Sequence, residues 1–73
     1  MTAYCVHARD DDPRHTHRVE AEGFADAAVA FAERWMAAQA AGEPVSILVE
    51  EIETGEQHCL MVDLGSGEAE PCG

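Results

Sequence analysis

The chain contains no lysine, and its four arginines are opposed by fifteen aspartates and glutamates. The resulting formal charge of −11 over 73 residues is large for so short a protein. Such a charge favours solubility and repels other polyanions. It therefore argues against direct binding to DNA or RNA, where affinity depends on neutralised phosphates, and against binding to an anionic membrane. An acidic surface suits a basic protein partner instead, including one that otherwise binds nucleic acid.

Cysteines are few, and no long apolar run is present. Cys5, Cys59 and Cys72 make an odd number without a CxxC pair, a pattern that predicts no disulfide framework. Whether Cys72 pairs with another cysteine is left open by this spacing. We expect no secretory signal before the domain. We therefore expect a protein of the reducing cytoplasm, with no membrane association.

Aromatic residues are scarce as well, and three of the four lie in residues 23–42. This segment is the only one with helical periodicity, and it predicts a helix from Phe24 to Ala41 that starts after Gly23 and ends before Gly42. Replacing Trp35 by Ala should cost about 3–5 kcal/mol of stability. The residues of the apolar stripe are Phe24, Ala27, Ala28, Phe31, Trp35 and Ala38.

Four segments alternate apolar and polar residues as strands do. Turn residues separate them in pairs, so we expect one hairpin before the helix and one after it, with Tyr4 opposite Ala21 and Val49 opposite Leu60. The expected fold is α+β, ββαββ, a four-stranded mainly antiparallel sheet in the order 2-1-3-4 with one helix packed on one face. Residues 1–64 form this single domain, and residues 65–73 an acidic, turn-rich, loosely packed tail. The predicted strands are residues 3–9, 15–22, 45–53 and 57–64.

Several segments resemble a known group of sequences. The segments YCVHARD, GFADAAVAF, ETGEQHCLMVDL and DLGSGEAEPCG are similar to those of a family of short, acidic alphaproteobacterial proteins with no assigned function. The resemblance covers nearly the whole chain. It implies a free-standing cytoplasmic protein, and it supplies no catalytic residue.

The sheet face opposite the helix is the expected functional surface, because one helix cannot cover both faces of a sheet. An exposed apolar patch of this kind often marks an interface. We therefore expect a non-enzymatic, protein-binding or regulatory module that docks an unidentified partner of basic character, or a second copy of itself as a homodimer, through this face. The predicted interface residues are Cys5, His7, Leu48, Ile52, Cys59 and Met61.

Catalysis and metal binding are the competing interpretations. Cys5 and His7 lie about 6–7 Å apart along one strand, and His58 and Cys59 point to opposite faces, so neither pair predicts a nucleophile with its base. We expect no enzyme activity and no cofactor. The alternative function is a zinc or transition-metal-binding module with histidine and cysteine ligands, and His15 and His17 are its candidate histidines. The expected register, however, places those histidines away from the cysteines.

Overall fold

The computed structural model describes residues 1–36 and 43–72. These residues form five strands, one α-helix and a short 3₁₀ turn at Pro13–His15. The elements are β1 (Thr2–Ala8), β2 (His17–Ala21), α1 (Phe24–Trp35), β3 (Val45–Glu51), β4 (Gln57–Asp63) and β5 (Glu68–Pro71). The described part of the chain is therefore α+β, as the sequence pattern predicts.

All five strands join one open sheet in the order β2-β1-β3-β4-β5, and every neighbouring pair is antiparallel. The predicted order of the first four strands is confirmed, but the prediction of only four strands was wrong. The fifth strand, β5, lies within the segment expected to be a loose tail. It forms because Gly67, at φ 75°, allows a tight turn in which its amide donates to the Asp63 carbonyl at 2.7 Å.

Both predicted hairpin registers were wrong by two residues. Tyr4 pairs with Val19, and Val49 pairs with His58. The reason is that both loops are longer than a minimal turn. The 3₁₀ turn lengthens the first, and in the second the Glu51 amide bonds to the Glu56 carbonyl at 2.8 Å. A shift of two residues leaves every side chain on its predicted face, because strand side chains alternate with a period of two.

The core lies between α1 and one face of the sheet. Val6, Ile47, Val49 and Val62 are completely buried there. On the helix, Ala27, Ala28 and Ala32 are also fully buried, and these small side chains allow the helix backbone to approach the sheet closely. Phe31 fills the space between them and is only 4% exposed.

The ends of α1 agree in part with expectation. The Ala27 amide donates to the Gly23 carbonyl at 3.0 Å, so the helix starts where predicted. Met36 caps the described end through a 3.0 Å bond to the Ala32 carbonyl. The predicted continuation to Ala41, with Ala38 on the stripe and Gly42 at the end, lies outside the described residues.

Phe31 rather than Trp35 is the aromatic anchor of the core. Trp35 is 40% exposed, so water can replace its ring, whereas removal of the Phe31 ring would leave a closed cavity. We expect Phe31→Ala to cost about 3–5 kcal/mol and Trp35→Ala at least about 1 kcal/mol less. Urea unfolding followed by circular dichroism measures both. An equal or larger loss for Trp35→Ala would contradict this assignment.

A disulfide joins Cys59 and Cys72, so the prediction of no disulfide framework was wrong for this pair. The bond forms because β5 pairs with β4 in a register that sets the two residues opposite each other, and the Cys72 amide donates to the Cys59 carbonyl at 2.9 Å. Their Cα atoms are 5.2 Å apart, within the usual range for a disulfide. Cys5 is free.

The disulfide should stabilise the fold by limiting the unfolded chain. Its sequence separation of 13 residues corresponds to about 3 kcal/mol in the loop-entropy treatment. We expect the Cys59→Ser/Cys72→Ser double variant to lose about that amount in urea unfolding and to respond no further to reductant. Cys5→Ser is the matched control and should lose stability in reductant as the wild type does. Equal stability of the wild type with and without reductant would contradict the prediction.

Candidate functional site: the open sheet face

The sheet face opposite α1, here called the open face, bears the predicted interface residues. Residues directly opposite each other on paired strands share a face. Since Val6 and Val49 face the helix, their neighbours along the strands face the other way. The sixth predicted interface residue, Ile52, directly follows β3. The other five lie within strands on this open face: Cys5, His7, Leu48, Cys59 and Met61.

An apolar strip crosses the open face. His7 pairs with Leu48 and Leu48 pairs with Cys59, so these three side chains form one row over β1, β3 and β4. The disulfide extends the row to Cys72 at the edge. Met61 lies beside Cys59 along β4 and is 41% exposed. The structure thus brings four of the predicted residues together around one row.

Cys5 and Ile52 lie further from this row. Cys5 pairs with Glu50, one step along from His7. Ile52 is 47% exposed, and its amide donates to the Ala3 carbonyl at 3.2 Å, which fixes it at the far end of the face. The strip is therefore continuous next to Leu48, and Cys5 and Ile52 lie apart from it.

A shallow depression of about 200 Å³ lies within the open face. Residues of β1, β3 and β4 line it together with Thr16, and Leu48 among them is half-buried. Such a depression can receive one apolar side chain of a partner, with polar groups at its rim. Its lining residues are Cys5, His7, Thr16, Leu48, Val49, Glu50 and Gln57.

Carboxylates surround the apolar strip. Arg18 is the one arginine within the strands of this face, and it lies 3.7 Å from Glu20. The sequence analysis missed the carboxylates that β5 adds to this face, since the tail was expected to pack loosely. The alternation of EAEP after a glycine-rich turn was the available signal. The acidic strand residues on the open face are Glu20, Glu50, Asp63, Glu68 and Glu70.

The cysteines and histidines do not converge on one reaction centre. Cys5 and His7 share a face two residues apart along β1. His58, the chain neighbour of Cys59, lies on the helix side, where its ring centroid is 4.1 Å from that of Phe24. Its Nε2 atom lies 2.7 Å from a Glu56 carboxylate oxygen. The geometry therefore builds no Cys59–His58 pair.

The histidines of the metal-binding alternative are also separated from the cysteines. Within residues 1–36 and 43–72, no group of three or more His, Cys, Asp or Glu side chains is placed to hold a metal ion. The His17 ring stacks on Trp35 with centroids 4.1 Å apart and planes at 17°. His15 lies on the preceding turn, where its Nδ1 atom is 3.0 Å from Asp11.

The β1–β2 turn is held by local charge pairs. Asp12 accepts from the Arg14 guanidinium at 2.7 Å and from the Arg14 amide at 2.9 Å, and both bonds lower the pKa of Asp12. The side-chain bond also raises the pKa of Arg14. The hydrogen bond between the His15 ring and Asp11 raises the pKa of His15 and lowers the pKa of Asp11. Asp11 and Asp12 thus engage their own neighbours, as in a solvated turn.

The Asp11–His15 pair should contribute to stability within a limited pH window. The protonated ring contributes below the unfolded pKa of His15, and this contribution is lost as pH rises through the higher folded pKa. The Asp11 carboxylate contributes above its unfolded pKa, and that contribution is lost as pH falls through the lower folded value. We expect Asp11→Asn to lower the pKa of His15 measured by NMR titration. Asp10→Asn is the control and should leave it nearly unchanged; equal shifts would contradict the assignment.

The fold and this surface define a class of protein. Its described residues form a small α+β domain in which one helix covers one face of a five-stranded antiparallel sheet and leaves the other face open, largely apolar along its middle and acidic around it. None of the helices in the described part is long and apolar enough to span a membrane.

The chain belongs to DUF5961, a family of unknown function, which it matches over residues 2–73. This membership confirms the resemblance to a family with no assigned function that the sequence analysis noted. The alphaproteobacterial range of the family stays a prediction. No curated protein and no solved structure is significantly similar to this chain.

Proposed function

We propose that this protein is a non-enzymatic binding module that docks a basic partner protein on its open face. The observation that supports the proposal most directly is the row His7–Leu48–Cys59, with Met61 beside it, bordered by carboxylates on the side of the sheet that the helix leaves bare. Exposed apolar patches rimmed by polar residues are typical of protein interfaces.

The apolar strip would supply the binding anchors. Met61 and Ile52 are among the few exposed large hydrophobic residues of the described chain, at 41% and 47% exposure. Methionine adapts to irregular partner surfaces because its side chain is unbranched and polarisable. The depression beside Leu48 offers a site for one partner side chain.

The carboxylates would select the partner by charge. Glu50 lines the depression, while Glu68 and Glu70 lie on β5 opposite Asp63 and Met61. With a net charge of −11, the protein would attract a basic partner from a distance and lose part of that attraction at high salt. A basic protein that otherwise binds nucleic acid fits this description, and the module would then compete with the nucleic acid.

A second copy suits the open face less well than a basic partner does. Face-to-face pairing would bring the carboxylates of both copies together, and like charges across an interface oppose association. The homodimer through this face therefore ranks below a heteromeric complex. The metal-binding alternative has no grouping of ligands in the described chain to support it.

The disulfide bears on where the protein works. A cytoplasmic location was expected partly because no disulfide was predicted. The Cys59–Cys72 bond removes that reason, since structural disulfides persist mainly in oxidising compartments. A cytoplasmic location remains a prediction, now without that support.

The test separates apolar docking from charge. Met61→Gln removes the exposed thioether without changing net charge, and Glu70→Gln, at the paired position on β5, removes one carboxylate. After affinity capture and identification of a partner, we expect Met61→Gln to weaken binding of the purified partner about tenfold at all salt concentrations. Glu70→Gln should weaken it mainly at low salt.

Ala25→Gln is the matched control, because Ala25 is exposed on the helix side. It should leave the affinity unchanged. NMR titration with the partner should shift the amide signals of His7, Leu48 and Cys59 and leave those of α1 in place. Unchanged affinity for Met61→Gln, or shifts confined to α1, would refute docking on the open face.

A further inference from the structure

Strand β2 leaves one edge of the sheet open. It stands first in the strand order, and no strand of the described chain pairs with its outer side. The opposite edge strand, β5, contains Pro71, which cannot donate a backbone hydrogen bond, and is tied to β4 by the disulfide. The edge at β2 has neither protection. Exposed edges of this kind are templates for pairing with another strand.

The alternation of the backbone shows which groups point outward from β2. The Ile52 amide donates to the Ala3 carbonyl, and the Arg9 amide donates to the Ser46 carbonyl. Odd-numbered residues of β1 therefore direct their backbone groups to β3, and even-numbered ones, including Tyr4, direct theirs to β2.

The direction of the backbone groups of β2 follows from this alternation. Since Tyr4 pairs with Val19, the backbone groups of Val19 face β1. Those of Arg18 and Glu20 then face the open edge.

We propose that β2 pairs antiparallel with β2 of a second copy, about a two-fold axis at Val19. This register sets Arg18 opposite Glu20 of the partner subunit, and Glu20 opposite Arg18 of the partner subunit. Two complementary charge pairs thus form from one strand and its own copy, as an isologous interface requires. On the helix side, Val19 meets Val19 of the partner subunit.

The surface next to this edge suits the same occupant. A groove of about 380 Å³ runs between β2 and α1, and Trp35, at 40% exposure, and Met1, at 92%, lie along it. Arg34 lies over the Trp35 ring, 5.2 Å from its centroid. Two of the chain's four arginines, Arg18 and Arg34, line this groove. The local surface is therefore less acidic than the net charge implies, and a second copy meets less repulsion here than on the open face.

The resulting dimer would have one continuous sheet. Because the two-fold axis is perpendicular to the sheet, both helices lie on one side and both open faces on the other. Pairing through β2 leaves the open face free, so the dimer stands independently of the proposed partner binding.

Charge reversal at the edge tests the pairing. Arg18→Glu alone sets glutamates opposite each other, and Glu20→Arg alone sets arginines opposite each other. We expect each single variant to raise the dimer dissociation constant about tenfold or more at low salt, measured by analytical ultracentrifugation. The double variant Arg18→Glu/Glu20→Arg restores both pairs and should dimerise as the wild type does. Circular dichroism checks that each variant is folded.

Mixing the two single variants gives the sharpest result. A chain with glutamate at both edge positions then faces a chain with arginine at both, so a heterodimer should form although neither variant pairs with itself. Native mass spectrometry distinguishes this heterodimer from the two homodimers. A wild type that stays monomeric at high protein concentration would overturn the proposal. So would a dimer that is insensitive to the single reversals, or one that Met61→Gln dissociates instead.

Discussion

The structure depends on the close packing of one alanine-rich helix against one face of the sheet. Ala27, Ala28 and Ala32 bring the helix backbone near Ile47, Val49 and the other buried valines, and Phe31 fills the remaining space. A chain this short has only one such helix in its described part. Because a single helix covers a single face, the other face must meet solvent or a partner. The proposed binding surface is thus a consequence of how the core is made.

The C-terminal segment changes that surface. With β5 paired to β4 and Cys72 bonded to Cys59, the open face gains a further strand and two more carboxylates, Glu68 and Glu70. The disulfide therefore joins the stability of the domain to the shape of its open face. Reduction would act on both, since β5 is only four residues long and the bond ties its end to β4.

Charge is distributed unevenly over the molecule. The carboxylates of β3, β4 and β5 make the open face acidic, while Arg18 and Arg34 lie beside the unpaired edge of β2. Asp12 and Asp11 of the β1–β2 turn are engaged by Arg14 and His15 next to them. The proposals for the two surfaces rest on this distribution: a basic protein on the open face and a second copy at the edge.

The alternation of apolar and polar residues by itself determined the fold class and the face on which the residues of the four predicted strands lie. Leu48 and Met61 were assigned to the open face, and they lie there although both registers were two residues off. A period of two tolerates an even shift, so those assignments survive the error. Register, the fifth strand and the Cys59–Cys72 bond were decided only by tertiary structure. Each depends on the hydrogen bonds that form within the loops, because these bonds decide which distant residues lie opposite each other. The turns at Asp12, Gly55 and Gly67 are examples. The exposure of Trp35 likewise depends on where the helix crosses the sheet, which no periodicity records.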